Sequence, residues 1–220
     1  MAESYHSDLE VEESSKNIGL FVNNKIKVLV STIKLGMGYD KPFMSFILHY
    51  QVPKNIVSYY QQIGRAARNI TTGYAIMLKG GNDFEILDYF IKNSFPTQNE
   101  MDLVLKQFSN SSWDESQNGL SPTKVSSMIN LSLKSINKAF MFLEFEGVIN
   151  RLDNKYFLTG NSFFYNQKHY LEITRTREQE IDELKSLFIT NDCLSKVIIN
   201  ALDDNSVEKC GKCINCIGKN

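Results

Sequence analysis

The chain has 220 residues, a formal net charge of −1, and 42% hydrophobic and 22% charged residues. That profile fits an ordinary globular protein of one large domain or two to three small ones, and any basic surface must be local. No run approaches the ~18 apolar residues of a membrane span, and the N-terminus has no charged-then-apolar leader, so a cytoplasmic protein without membrane contact is expected.

In chain order, Glu10, Glu12, Glu13 and Lys16 set against Ile18, Leu20 and Phe21 predict an amphipathic helix ending near Asn23 and Asn24. Residues 26–30 are a β-branched run, read as a buried strand of an α/β sheet. The run empties into residues 31–42, which hold Ser31, Thr32, Gly36, Gly38, Asp40 and Lys41. Ligands of α/β folds sit at the carboxyl ends of strands, so this segment is a candidate site. Residues 46–50 predict a second strand, 56–68 a helix, and 73–78 a third strand closed by Gly80 and Gly81. Alternating strand and helix predicts a parallel sheet.

The helix expected over 56–68 carries Gln61, Gln62, Gly64, Arg65 and Arg68. Residues three apart share a helix face, so Arg65 and Arg68 are expected to point the same way with Gln61 one turn behind. Paired guanidinium groups are planar, permanently charged and bidentate, which suits a phosphate chain. The plain alternative is a solvated basic helix end.

Helices are expected over 84–92 and 98–109, and the polar tract 109–119 reads as the domain boundary. Residues 120–160 look like a winged helix. Ser121 and Ser132 are expected N-caps, Ile136, Ala139, Phe140 and Leu143 form one stripe, Gly147 ends the second helix, and a hairpin follows. Lys134 and Lys138 on that helix, with Arg151 and Lys155 on the wing, are candidates for DNA phosphate contact. Packing or protein docking is the alternative, and Glu144 and Glu146 dilute the basic face. Residues 161–209 read as helical.

Four cysteines, Cys193, Cys210, Cys213 and Cys216, fall in the last 28 residues as C-x16-C-x2-C-x2-C. Clustered thiols in a reducing compartment indicate metal ligation, and four thiolates fit a closed structural zinc site.

Residues 28–42 resemble motif V of the RecQ-family DNA helicases, residues 59–68 resemble their motif VI, and the cysteine spacing is similar to their zinc-binding subdomain. The resemblance covers 1 to about 108 and 170 to 218. The winged helix precedes the zinc ligands here, whereas in the best-known members it follows them, so the chain looks like a variant branch.

The resemblance implies an α/β fold. Residues 1–108 would be a second RecA-like lobe with a parallel sheet, incomplete at its N-terminus. A linker at 109–119, a winged helix at 120–160 and a helical four-cysteine zinc subdomain at 161–220 would follow. It further implies an ATP-dependent 3′–5′ DNA helicase in which Arg68 is the arginine finger and Arg65 lies near the γ-phosphate. Gln61, Gln62, Gly38 and Asp40 would lie at the nucleotide cleft, and Ser31, Thr32 and Lys41 on the DNA side. Two departures are Ala67, where the family usually has Gly, and Tyr39-Asp40, where Ile-Asn is common.

No G-x-x-x-x-G-K-[ST] and no D-E-x-H occurs in the chain. ATP and Mg²⁺ are therefore expected only with a first lobe carried elsewhere, with single-stranded or forked DNA and a separate lobe-bearing chain as the expected partners. A motor-less zinc-stapled DNA-binding protein and a non-functional truncated helicase are the alternative readings.

Overall fold

The computed structural model describes residues 1–36, 43–110, 119–206 and 208–218. It divides into two compact units, residues 1–84 with 180–220, and residues 85–179.

In the first unit, β1 (Ala2–Tyr5) pairs in parallel with β2 (Val28–Ser31), with Ala2 opposite Val28 and Tyr5 opposite Ser31. The crossover between them is α1 (Val11–Val22), which buries Ser14, Asn17 and Phe21. Asn17 Nδ2 donates to Ser4 O at 3.1 Å, so a buried amide ties the helix to β1. Asn23 and Asn24 end α1, and Asn24 takes the left-handed conformation (φ 57°) that this residue type tolerates. The strand at residues 2–5 is not expected from sequence. A four-residue run with two polar members carries no periodic signal, and it becomes a strand through its ladder to β2.

After β2 comes a 3₁₀ turn, Ile33–Gly36. β3 (Phe46–His49) pairs in parallel with β4 (Tyr74–Met77), and α2 (Ile56–Ile63) is the crossover. Asn55 caps α2: its Oδ1 accepts from Ser58 N–H at 2.9 Å, a cap that contributes about 1 kcal/mol. Its Nδ2 donates to Glu180 at 3.0 Å, which satisfies the other end of a buried amide. Ile56 and Tyr59 are the buried residues of α2. The parallel pairing agrees with expectation, but among the described residues the strands form two separate two-stranded ladders, β1–β2 and β3–β4.

The expected helix over 56–68 is shorter. It stops at Ile63 with Gly64 as C-cap, residues 64–67 form a turn, and Ala67 is left-handed at φ 59°. Ala67 N–H leaves the helical ladder to donate to Met44 O at 2.9 Å. That tertiary bond competes with continuation of the helix, which periodicity alone does not register.

α3 (Asp83–Lys92) begins at Asp83, whose carboxylate accepts from Gly80 N–H at 2.9 Å and Val52 N–H at 3.3 Å, pinning the segments that leave β3 and β4.

The second unit has one hydrophobic core. α4 (Gln98–Asn110) supplies Met101, Val104 and Phe108, and α5 (Pro122–Ser126) supplies Val125. α6 (Leu133–Phe145) supplies Ile136, Ala139, Phe140 and Leu143. The antiparallel hairpin of β5 (Ile149–Leu152) and β6 (Lys155–Leu158) adds Ile149, with Val148 just before it. Ser121 and Ser132 cap α5 and α6, and Gly147 follows α6 at φ 69°, as their residue types predict. Thr97 and Glu100 form a reciprocal capping box at the start of α4: Thr97 N–H donates to Glu100 at 2.8 Å and Glu100 N–H to Thr97 Oγ1 at 3.2 Å.

This packing corrects the boundary expected at 109–119. α4 falls within the lobe expected at 1–108, yet its apolar stripe completes the core of the helix–hairpin unit. The expected zinc subdomain at 161–220 is divided in the same way, because only residues from 180 onward belong to the first unit. α7 (Gln167–Ile189) buries Ile181, Leu184 and Leu187 there, and α8 (Leu194–Asn200) and the short α9 (Ile214–Ile217) follow. Among the described residues no helix is long and apolar enough to cross a membrane.

Candidate functional site

Two clusters carry chemistry in the first unit. The first comprises two groups in separate ladders, one at the carboxyl end of β2 and one at the carboxyl end of β3 with the turn after α2. Ser31 closes β2 opposite Tyr5, and Thr32 follows, its N–H donating to Tyr5 O at 3.3 Å. Both residues are exposed. Thr32 Oγ1 accepts from Lys34 N–H at 3.4 Å, which starts the 3₁₀ turn. Lys34 Nζ turns back to donate to His6 O at 3.0 Å and lies 4.7 Å from the Tyr5 ring. The expected residues Gly38, Asp40 and Lys41 lie outside the described residues.

β3 ends at His49, whose Nε2 lies 2.6 Å from Gln62 Oε1 and whose ring meets Tyr59 edge-on at 5.1 Å. His49 thereby fixes Gln62 on α2. Sequence reasoning misses this role of His49; its only signal is a place at a strand end thirteen residues before Gln62. Gln61 is exposed and Gln62 half-buried. Burial raises the Tyr59 phenol above its usual value.

Arg65 and Arg68 do not share a helix face, because both follow the end of α2. Arg65 is half-buried in the turn, and Arg68 is exposed with Nε donating to Gly64 O at 3.4 Å. The left-handed Ala67 between them redirects the chain, so the turn rather than helical periodicity sets where each guanidinium goes.

The second cluster is Cys193, Cys210, Cys213 and Cys216, whose sulfurs all lie within 4.8 Å of one another. Cys213 Sγ is 3.9 Å from Cys193 Sγ and 3.4 Å from Cys216 Sγ, and Cys210 and Cys216 are 4.0 Å apart. Thiolates at ~2.3 Å from a tetrahedral ion sit about 3.8 Å apart, so the set fits one metal ion. Backbone N–H groups aim at the sulfurs: Cys210 N–H at Cys193 (3.2 Å), Cys213 N–H at Cys210 (3.2 Å) and Leu194 N–H at Cys213 (3.4 Å). Such bonds stabilise thiolates and orient ligands. Burial acts to raise the Cys210 thiol, but Ser195 and the Lys212 and Cys213 amides outweigh it and hold it at about 6. Cys216 goes the other way, to about 11, chiefly through its contact with Cys213. Gly211, at φ 69°, makes the turn between Cys210 and Cys213. Asn215 Nδ2 donates to Thr190 O and Asp192 O, closing the segment that holds the ligands.

In the second unit, Lys134 and Lys155 are exposed. Lys138 Nζ donates to Asn93 O at 2.6 Å, and Arg151 donates to Asp153 O at 2.9 Å while lying 5.9 Å from the Tyr156 ring. Two of the four expected phosphate contacts are thus engaged within the fold.

Residues 1–70 match the family model described as helicase conserved C-terminal domain. A relative from Acanthamoeba polyphaga mimivirus, whose name is that of an ATP-dependent RNA helicase, is 42% identical over 102 residues, 46% of this chain and 19% of that protein. A RecQ-like DNA helicase of Caenorhabditis elegans, blm-1, is 40% identical over 82 residues, 37% of this chain and 8% of that protein. The structure of S. cerevisiae Dbp5 bound to RNA and ADP BeF3 aligns at a TM-score of 0.35 and 30% identity, covering 42% of this chain and 25% of that one. The chain therefore spans less than a fifth of these two curated relatives. The resemblance to RecQ-family helicases is matched by blm-1 and by the ATP-dependent DNA helicase RecQ of Bacillus subtilis, 34% identical over 90 residues, 41% of this chain and 15% of that protein.

Proposed function

We propose, from the helicase C-terminal domain at residues 1–70, that this chain is the C-terminal portion of a RecQ-like ATP-dependent 3′–5′ DNA helicase. The observation that carries the reading is that one matched segment contains both the strand-end segment at Ser31 and Thr32 and the arginine turn after α2. In this reading Arg68, the exposed arginine of the turn, is the finger that stabilises charge developing on a transferred phosphoryl group, and half-buried Arg65 holds the turn beside it. Gln62, fixed by His49, lines the nucleotide cleft with Gln61, Gly38 and Asp40. Ser31, Thr32 and Lys41 face the DNA backbone.

The four thiolates hold one structural zinc with no open coordination position, so zinc supplies cross-linking of residues 193–216 rather than chemistry. The helix–hairpin unit acts as a winged helix in which Lys134 and Lys155 contact phosphate and Lys138 and Arg151 chiefly brace the fold. ATP and Mg²⁺ are bound together with a first lobe that lies outside these 220 residues, which hold no phosphate-cradling glycine loop.

The test measures single-stranded DNA binding by fluorescence anisotropy across a salt series, alongside ATP turnover, on the purified chain. Salt-dependent binding that weakens in Lys134→Ala and Lys155→Ala but is unchanged in Arg68→Ala, without ATP turnover, is the expected result. Turnover by the chain alone, or no DNA binding at low salt, would refute the proposal.

A further inference from the structure

One of the four cysteine ligands lies far in sequence from the other three. Cys210, Cys213 and Cys216 share one knuckle, whereas sixteen residues separate Cys193 from Cys210. The Gly211 turn and its backbone bonds hold the knuckle together locally. Bringing in Cys193 costs the closure of a loop, and a bound ion must meet that cost unless the polypeptide does.

One side chain of the knuckle reaches the Cys193 segment. Asn215 sits between Cys213 and Cys216 in the first turn of α9. Its Nδ2 donates to Thr190 O at 3.0 Å and to Asp192 O at 2.8 Å. An amide nitrogen carries two N–H donors, and here each has its own carbonyl. Thr190 follows the last residue of α7, where helix carbonyls lack intrahelical partners, and Asp192 is bonded directly to Cys193. Thr190 Oγ1 also accepts from Asp192 N–H at 3.0 Å, so the segment that Asn215 grips is itself a closed turn.

This grip sets the register of the ligands. Cys210 N–H donates to Cys193 Sγ at 3.2 Å, and Leu194 N–H donates to Cys213 Sγ at 3.4 Å, two bonds that cross between the segments in opposite directions. Cys193 is the buried member of the four. None of these bonds includes an ion. We propose that Asn215 is a positioning residue for zinc, holding Cys193 against the knuckle so that the chain itself assembles the four-sulfur set. The inference rests on the four-thiolate zinc reading. Groups that orient metal ligands from outside typically change affinity by about 10–100-fold.

Competition against a chromophoric chelator measures zinc affinity on the reduced full chain. Asn215→Asp keeps the shape of the side chain but sets carboxylate oxygens against two carbonyls, and Asn215→Ala removes the donors without adding charge. Each should bind zinc about 10–100-fold more weakly. Ile217→Ala, at a 64% exposed position of the same helix, should bind as the wild type does. Iodoacetamide labelling of the zinc-loaded proteins, mapped by mass spectrometry on singly labelled chains, separates positioning from a general loosening. Cys193 should be labelled last in the wild type and first in both Asn215 variants. Where circular dichroism shows Asn215→Asp unfolded, Asn215→Ala carries the comparison. A wild type that binds no zinc would overturn the zinc reading and this inference with it. Equal affinity in the wild type and the Asn215 variants, or label spread evenly over the four cysteines of a weakened variant, would overturn the role of Asn215 and leave the zinc reading standing.

Discussion

Ala67→Gly should stabilise the first unit. Ala67 sits at φ 59°, where a Cβ crowds the following carbonyl and costs about 1–2 kcal/mol. Glycine removes that cost but loses more freedom on folding, about 0.5–1 kcal/mol. The net expectation is a gain of about 0.5–1 kcal/mol. The same geometry predicts a coupling. A Cβ added at Gly73 would lie 2.6 Å from Ala67 Cβ and 3.2 Å from Ala67 N. Carbon atoms pack at about 3.5–4.0 Å, so Gly73→Ala forces a shift costing about 1–3 kcal/mol. In the Ala67→Gly background the closest contact no longer exists, and at least about 1 kcal/mol of that cost should return. Urea denaturation of the four proteins, followed by circular dichroism at one pH, gives midpoints and slopes for the cycle. A lowered midpoint in Ala67→Gly, or an equal cost of Gly73→Ala in both backgrounds, would refute the reasoning.

Other expectations follow from the second unit. Phe140 is 1% exposed, with ring centroids 5.7 Å from Phe108 and 4.8 Å from Tyr156, so Phe140→Ala should cost about 3–5 kcal/mol in the same denaturation assay. A loss well below that range would mean the core collapses to fill the space. Burial works to raise the Glu100 carboxyl, but the Thr97 amide, the Ser135 and Thr97 hydroxyls and Lys138 together hold it below its usual value. A depressed carboxyl contributes stability above its unfolded-state pKa and loses it as pH falls through the folded value. Stability should therefore decline as pH drops below the ordinary glutamate range, and Glu100→Gln should flatten that decline. Parallel acid limbs in the two proteins would contradict the assignment.

Local chemistry is legible in the sequence wherever a residue type has one strong preference. Ser121 and Ser132 accept from backbone amides three residues on, Gly147 takes the left-handed position after α6, and the cysteine spacing brings four sulfurs together. The buried stripe of α6 follows from helical spacing alone. These features depend on a few neighbouring residues, or on side chains with a single stable use.

Tertiary structure decided the rest. Residues 2–5 became a strand because β2 offered unpaired backbone groups, and α4 joined the second unit because Met101, Val104 and Phe108 found their cavity there. The helix after Asn55 stops at Ile63, and Ala67 donates instead to Met44, in a segment well before the helix. The sequence by itself determined that a glutamine and arginine run follows a strand–helix crossover. It did not determine where Arg65 and Arg68 point, because that direction is set by a hydrogen bond between segments distant in sequence and by a left-handed residue that no pattern of spacing encodes.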